Sequence, residues 1–137
     1  MNSSDLNKRR FGAWEAFTLA REQMLLRDLP TVPGVYSMRL SKAEARLRGS
    51  SDIAYIGKAT NRNGVQGRIR QYFHPGWRQS TNLEMKARLV SGIVLELAYI
   101  KTRDVGEAGY ATFRIRSSSP TKDVLRGEWK GPWRDPY

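Results

Sequence analysis

Three tyrosines, one lysine and two arginines fall in one stretch of this sequence: Tyr36, Tyr55, Lys58, Arg68, Arg70 and Tyr72. Together these groups could bind and hydrolyse a phosphodiester. That reaction needs an attacking water, a group that takes its proton, and positive charge on the transition-state oxygens. A phenol serves as the base only when neighbouring cations lower its pKa. Lys58, three residues after Tyr55, could do so or could bind phosphate. A guanidinium such as that of Arg68 offers a planar fork to two phosphate oxygens. Arg68 and Arg70 are two positions apart, so on a helix only one of them faces the tyrosines. Which of Tyr36 and Tyr55 lies nearer the water stays open on the sequence.

Two strands and a helix must position these groups. Pro33-Gly34 opens a strand over Gly34–Leu40 that carries Val35, Tyr36 and Met38. A second strand, Asp52–Ile56, is stopped by Gly57. Asn61, Asn63 and Gly64 mark a polar loop, Gln66–Phe73 reads as a basic helix, and His74-Pro75-Gly76 closes it. Paired strands followed by that helix put phenols and guanidinium groups on one surface.

The order Gly34-Val35-Tyr36, then Tyr55-Ile56-Gly57, then a helix with Arg68 ending in Tyr72-Phe73 resembles the GIY-YIG nuclease family. It is similar to the nuclease subunit of bacterial excision repair and to homing and restriction endonucleases of that family. The likeness covers about Leu29 to Ile115. It implies a mixed α/β (α+β) domain whose three-stranded antiparallel sheet is flanked by helices. It implies catalytic roles at Tyr36, Tyr55, Lys58, Arg68 and Tyr72, with Mg²⁺ or Mn²⁺ held by a glutamate on the helix after the third strand. Glu107 is the carboxylate in that helix, and it also stands three residues after Asp104, where a glutamate caps a helix. If Glu107-Ala108 is instead the pair the family carries about a turn earlier, the ligand position falls near Thr112, which binds no hard cation well. Glu84, Glu96 and Glu128 are the other carboxylates to test. The family's asparagine after the next proline has no counterpart, since Pro120 is followed by Thr121-Lys122-Asp123. Some restriction enzymes of the family place a histidine four residues after the arginine. Tyr72 holds that position here, and His74 is read as a loop histidine facing substrate.

The charge agrees with a polyanionic partner. The chain of 137 residues has 24 basic and 13 acidic side chains, a net charge of +11. No Asp or Glu occurs from Ile53 to Leu83, while Lys58, Arg62, Arg68, Arg70 and Arg78 all do. Lys58, Arg62, Arg70, His74 and Arg78 are therefore the candidate nucleic-acid contacts, with DNA, duplex or branched, as the expected partner. The sequence has no cysteine and one histidine, which leaves no thiolate zinc site, no histidine cluster and no disulfide framework. No apolar run is long enough for a membrane span and the N-terminus lacks a signal-like apolar region, so the expected location is cytoplasmic. Oligomeric state and cleavage specificity are not written in any readable motif.

The remaining chain reads as packing. Residues up to Gly12 are expected to be loose. Trp14, Phe17, Ala20 and Met24 recur at helical spacing, so a helix is expected over Ala13–Asp28. Ser41 and Glu44 form a capping box for a short helix over Lys42–Arg48, which would carry Arg46 and Arg48. Thr81 and Glu84 form another, opening a helix to Val90. Ile93–Ile100 is the clearest strand, and a helix from Asp104 to Arg116 follows. The expected divisions are an N-terminal segment and packing helix (1–28), a nuclease-like domain (29–116) and a tail that carries Trp129 and Trp133 back onto it (117–137). The function expected is metal-dependent DNA cleavage. A catalytically inactive nucleic-acid-binding module of the same fold is the alternative, and a basic structural protein of a nucleoprotein assembly is a third.

Overall fold

The computed structural model describes residues 3–40 and 53–117. In chain order these form α1 (Ser3–Lys8), β1 (Glu15–Phe17), a 3₁₀ turn (Leu19–Arg21) and α2 (Glu22–Asp28). Then come β2 (Gly34–Leu40), β3 (Ile53–Ala59), α3 (Gly64–Phe73), α4 (Ser80–Val90), β4 (Leu95–Lys101) and α5 (Val105–Ser117). The mixed α+β class expected from the sequence is what is found. The sheet, however, has four strands rather than three, all antiparallel neighbours, in the order β1-β4-β2-β3.

The extra strand corrects the helix expected over Ala13–Asp28. Trp14 and Phe17 are an odd number of positions apart, which in extended chain sends them to opposite faces of a sheet. Phe17 packs with Tyr36, Tyr72 and Phe73, whereas Trp14 packs with Val35 and Ile56 on the other side. Only the second half of the expected helix survives, as α2. Residues before Gly12 are not loose either: Leu6 in α1 is fully buried. The expected Lys42–Arg48 helix and the tail lie outside the described residues.

Period-two alternation divides the sheet's side chains between two layers. One face carries Tyr36, Met38, Leu40, Tyr55, Leu95 and Leu97, covered by α2, α3 and α4 through Leu25, Ile69, Tyr72 and Met85. The other carries Val35, Ile53, Ile56 and Ala98, covered by α1 and by Ala111 and Ile115 of α5. The start of α3 is fixed by its backbone. The amides of Val65 and Gln66 donate to the carbonyls of Val32 and Pro30 at 3.0 and 2.9 Å. Gly64, with φ +57°, permits the approach, because a Cβ there would lie 2.1 Å from the Val32 carbonyl oxygen. This starts α3 two residues before the expected Gln66 and lays it across the tyrosine face.

Candidate active site

The β2–β3 register sets the tyrosines. Tyr36 is opposite Gly57 and Met38 is opposite Tyr55, so both phenol-bearing residues share a face. Their rings stack with centroids 6.0 Å apart. Tyr72, arriving from α3, meets Tyr36 edge-on at 6.1 Å. The two hydroxyls share a buried hydrogen bond of 2.6 Å. Gly57 makes this possible: a Cβ there would lie 2.5 Å from the Tyr36 hydroxyl and 2.8 Å from Tyr55 Cε1. The glycine of Tyr55-Ile56-Gly57 is thus the floor on which the Tyr36 phenol lies. Gly34 has a separate reason, since its Cβ would meet the Ile100 carbonyl oxygen at 2.5 Å.

Arg68, one turn before Tyr72, lies over the Tyr72 ring with Cζ 4.3 Å from the centroid. Its Nη1 donates to Gln71 Oε1 at 3.1 Å and to Asn82 Oδ1 at 2.9 Å. A planar cation over an aromatic face with two fixed acceptors has little rotamer freedom left. Arg70, two positions on, is exposed, so Arg68 is the arginine that faces the strands. Asn82 was read in the sequence only as part of a capping stretch. It is buried in α4, whose N-cap is Gln79 rather than the expected Thr81. Nothing in sequence spacing connects Asn82 with Arg68, because the link depends on how α4 packs on α3.

The electrostatics depart from the expected phenol base. Burial first, and then the neighbouring Tyr55, push the Tyr36 phenol well above its ordinary value, and the Arg68 charge offsets this only in part. Burial, followed by Tyr36 and Tyr55, does the same to Tyr72. Both phenols are therefore neutral at physiological pH. Burial would lower the Arg68 pKa, but Tyr36, Tyr72 and Tyr55 together hold it above its usual value, so its charge is permanent. Of the three rings, only that of Tyr55 retains exposure, at 9% against 0% for the others.

Lys58 and Glu107 belong to the other side of the sheet. Lys58 pairs with Val35, and its alternation sends it to the α5 face, where it is exposed. Glu107 is in the first turn of α5. Its amide donates to Asp104 Oδ1 at 2.8 Å, and its Oε2 accepts from Arg103 N at 3.0 Å and Arg103 Nε at 2.8 Å. The hydrogen bonds from Arg103 hold its carboxyl below the usual carboxylate range. Asp104 thus caps the Glu107 amide, while the Glu107 carboxylate reaches Arg103. Thr112 is buried, with its hydroxyl donating to the Ala108 carbonyl at 2.7 Å.

Among the described residues no group of three His, Cys, Asp or Glu side chains is placed to hold a metal. Magnesium bound to a phosphate asks less of a protein, often one or two carboxylates with water and phosphate oxygens completing the shell. Glu107 can supply one such oxygen, since its ion pair with Arg103 is exposed and Oε2 takes both bonds. Glu96 pairs with Arg39 at 2.8 Å, and Glu84 with Arg88 at 3.6 Å. Glu128 lies outside the described residues.

Of the candidate nucleic-acid contacts, Arg62, Arg70 and Arg78 are exposed. His74 is exposed too, but its Nε2 is paired with Glu22 on α2. A cleft of about 720 Å³ lies away from all of these residues, lined by Arg10, Arg21, Tyr99 and Lys101 among others. The buried tyrosines, the fixed guanidinium and their glycine floor define the site better than that cleft does.

Curated proteins named UvrABC system protein C are similar to this chain. That of Caldicellulosiruptor saccharolyticus is 34% identical over 86 residues, which is 63% of this chain and 12% of the relative. The likeness is to the GIY-YIG nuclease family. The protein of the same name from Trichormus variabilis is 33% identical over 88 residues, 64% of this chain and 12% of the relative. That of Synechococcus sp. is 32% identical over 106 residues, 77% of this chain and 14% of the relative. The matched region is about an eighth of the length of these relatives. No protein-family model matches the chain, and no solved structure does. The GIY-YIG likeness thus rests on these relatives and on the two half-motifs, whose spacing closes into one cluster. No described helix is long and apolar enough to cross a membrane.

Proposed function

We propose that this chain is a GIY-YIG-type endonuclease domain that hydrolyses a DNA phosphodiester with Mg²⁺ or Mn²⁺. The observation that carries the reading is the Arg68 guanidinium, fixed by Gln71, Asn82 and the Tyr72 ring beside Tyr36 and Tyr55. The likeness to an excision-repair endonuclease subunit supports DNA as the substrate. Arg68 binds the scissile phosphate and stabilises the negative charge that grows on it. Tyr36 and Tyr72, neutral and bonded to each other, orient the cluster. Tyr55, the phenol that retains exposure, meets the attacking water in this reading. Arg62, Arg70 and Arg78 hold the flanking backbone by charge, and Lys58 does so from the far sheet face. Glu107 would hold the divalent ion on the α5 side, and that ion when bound would supply positive charge to substrate phosphate there.

The second reading is a nucleic-acid-binding module without hydrolysis. It is favoured by the engagement of Glu107 with Arg103 and by the buried hydroxyl of Thr112 at the other possible ligand position. Supercoiled plasmid incubated with Mg²⁺ or Mn²⁺, and with chelator as control, separates the two. Nicking only with metal, lowered about a hundredfold or more in Arg68→Ala and abolished in Glu107→Gln with DNA binding retained, is the expected result. DNA binding without metal-dependent nicking would leave the binding module.

A further inference from the structure

The loop that joins α3 to α4, His74-Pro75-Gly76-Trp77-Arg78-Gln79, carries the most exposed of the large apolar side chains described: Trp77 is 79% exposed. Leaving an indole in water forgoes a large burial gain, so its position needs a reason. The loop is closed twice. Gln79 N donates to the Gly76 carbonyl at 3.0 Å, and Gly76 N donates to Gln79 Oε1 at 2.8 Å. Trp77 and Arg78 are therefore the two central residues of a fixed turn. The Arg78 guanidinium lies over the indole, 4.3 Å from the ring centroid.

This turn is tied to the candidate site. Gln79 Oε1 also accepts Asn82 Nδ2 at 2.9 Å, and Asn82 Oδ1 accepts Arg68 Nη1 at 2.9 Å. A continuous chain of hydrogen bonds thus runs from the turn that displays the indole to the guanidinium that faces the tyrosines. The segment itself is basic: no acidic residue occurs between Ile53 and Leu83, Arg70 is exposed in the last turn of α3, and Glu22 of α2, which meets the loop at His74, is paired there. An exposed aromatic ring with arginine above it, in a basic setting, matches the π-face of a nucleobase and the charge of its backbone. Bases inside a continuous duplex have no free face. The occupant that fits is an unpaired one.

We propose that Trp77, held in register with Arg68 through Gln79 and Asn82, is a stacking platform for an unpaired base, so that the domain prefers DNA interrupted by an unstacked nucleotide. This rests on the nucleic-acid reading given above. The test measures affinity, at one fixed salt concentration, for three DNAs: a continuous duplex, the same duplex with a single-base bulge, and the same bulge made abasic. The wild-type protein binds the bulged DNA about tenfold more tightly than the other two, the scale of one base–aromatic stack. Trp77→Ala removes that preference without changing affinity for continuous duplex, and Trp77→Phe restores part of it. Equal affinity for all three DNAs, or an equal loss on all three in Trp77→Ala, overturns the platform while leaving nucleic-acid binding in place. Failure of the wild-type protein to bind any of them overturns both.

Discussion

The two faces of the sheet hold their chemical groups in opposite ways. On the tyrosine face, polar atoms are buried and fixed: Tyr36 bonds Tyr72, Arg68 bonds Gln71 and Asn82, and Gly57 leaves room for the phenol. On the α5 face, Lys58 is exposed and Glu107 is held only by its exposed neighbour Arg103. The first arrangement is organised before any substrate arrives, which keeps the reorganisation cost out of the reaction step. The second leaves its carboxylate exposed beside Arg103. The domain therefore combines a fixed tyrosine–arginine half with an exposed carboxylate half.

The largest effect that should break this contrast is Gly57→Ala. The new methyl would sit 2.5 Å from the Tyr36 hydroxyl and 2.8 Å from the Tyr55 ring, well inside van der Waals contact. Overpacking of this kind costs about 1–3 kcal/mol, and the displaced Tyr36 should lose its bond to Tyr72. Denaturant unfolding should show the loss, and DNA cleavage should fall with it. A Gly57→Ala protein of parental stability would mean that the cluster is not rigid.

That glycine also shows what was legible in the sequence. Gly34, Gly57 and the apolar residues beside them announce β2 and β3, and the run Ile93–Ile100 announces β4, because those patterns are local. The first strand was misread as helix because Trp14 and Phe17 are three apart, a spacing that also suits a helix. What decides is their burial on opposite faces, which only the assembled sheet reveals. Arg68 could be picked as a site residue by motif, but its anchor Asn82 could not. The neutral state of Tyr36 was hidden too, since burial outweighs the nearby cation, and burial is a property of the packed layer.

A smaller effect follows from those phenols. In the unfolded chain a tyrosine ionises near its ordinary value of 10.0, whereas folded Tyr36 and Tyr72 hold their protons above it. Above about pH 10 the unfolded state thus binds fewer protons, and stability falls as pH rises. The contribution is complete below that pH and is lost on passing upward through the folded values. Denaturation midpoints across this range should decline less steeply in Tyr36→Phe. That variant should itself be about 1 kcal/mol less stable at neutral pH, because the Tyr72 hydroxyl loses its buried partner. An identical alkaline decline in both proteins would place the effect elsewhere.

The smallest expected effect, and the one that sharpens the contrast most, is Arg103→Ala. An exposed ion pair contributes little to folding, so the melting temperature should not change measurably. The Glu107 carboxyl, now held below the ordinary carboxylate range by its hydrogen bonds from Arg103, should titrate higher. The stability it lends, present above that range and lost as pH falls through the folded value, should shrink. If Glu107 meets the cation, half-maximal nicking should also need less Mn²⁺. A large fall in melting temperature would show that the α5 side is as rigid as the other.

The position of β4 has a consequence for how the chain comes into being. Its two partners are β2 and β1, and Glu15 pairs with Leu97. During synthesis from the N-terminus, β2 and β3 can pair and bring Tyr36 and Tyr55 together, and α3 can add Tyr72, while β1 has nothing to bond. Phe17 then waits without its strand partner until Leu95–Lys101 has left the ribosome. Pairings so distant along the chain are slow to close. β4 thus inserts between two segments already made, before α5 closes the other face, and a nascent chain halted before Leu95 would hold a formed hairpin with an unsealed edge.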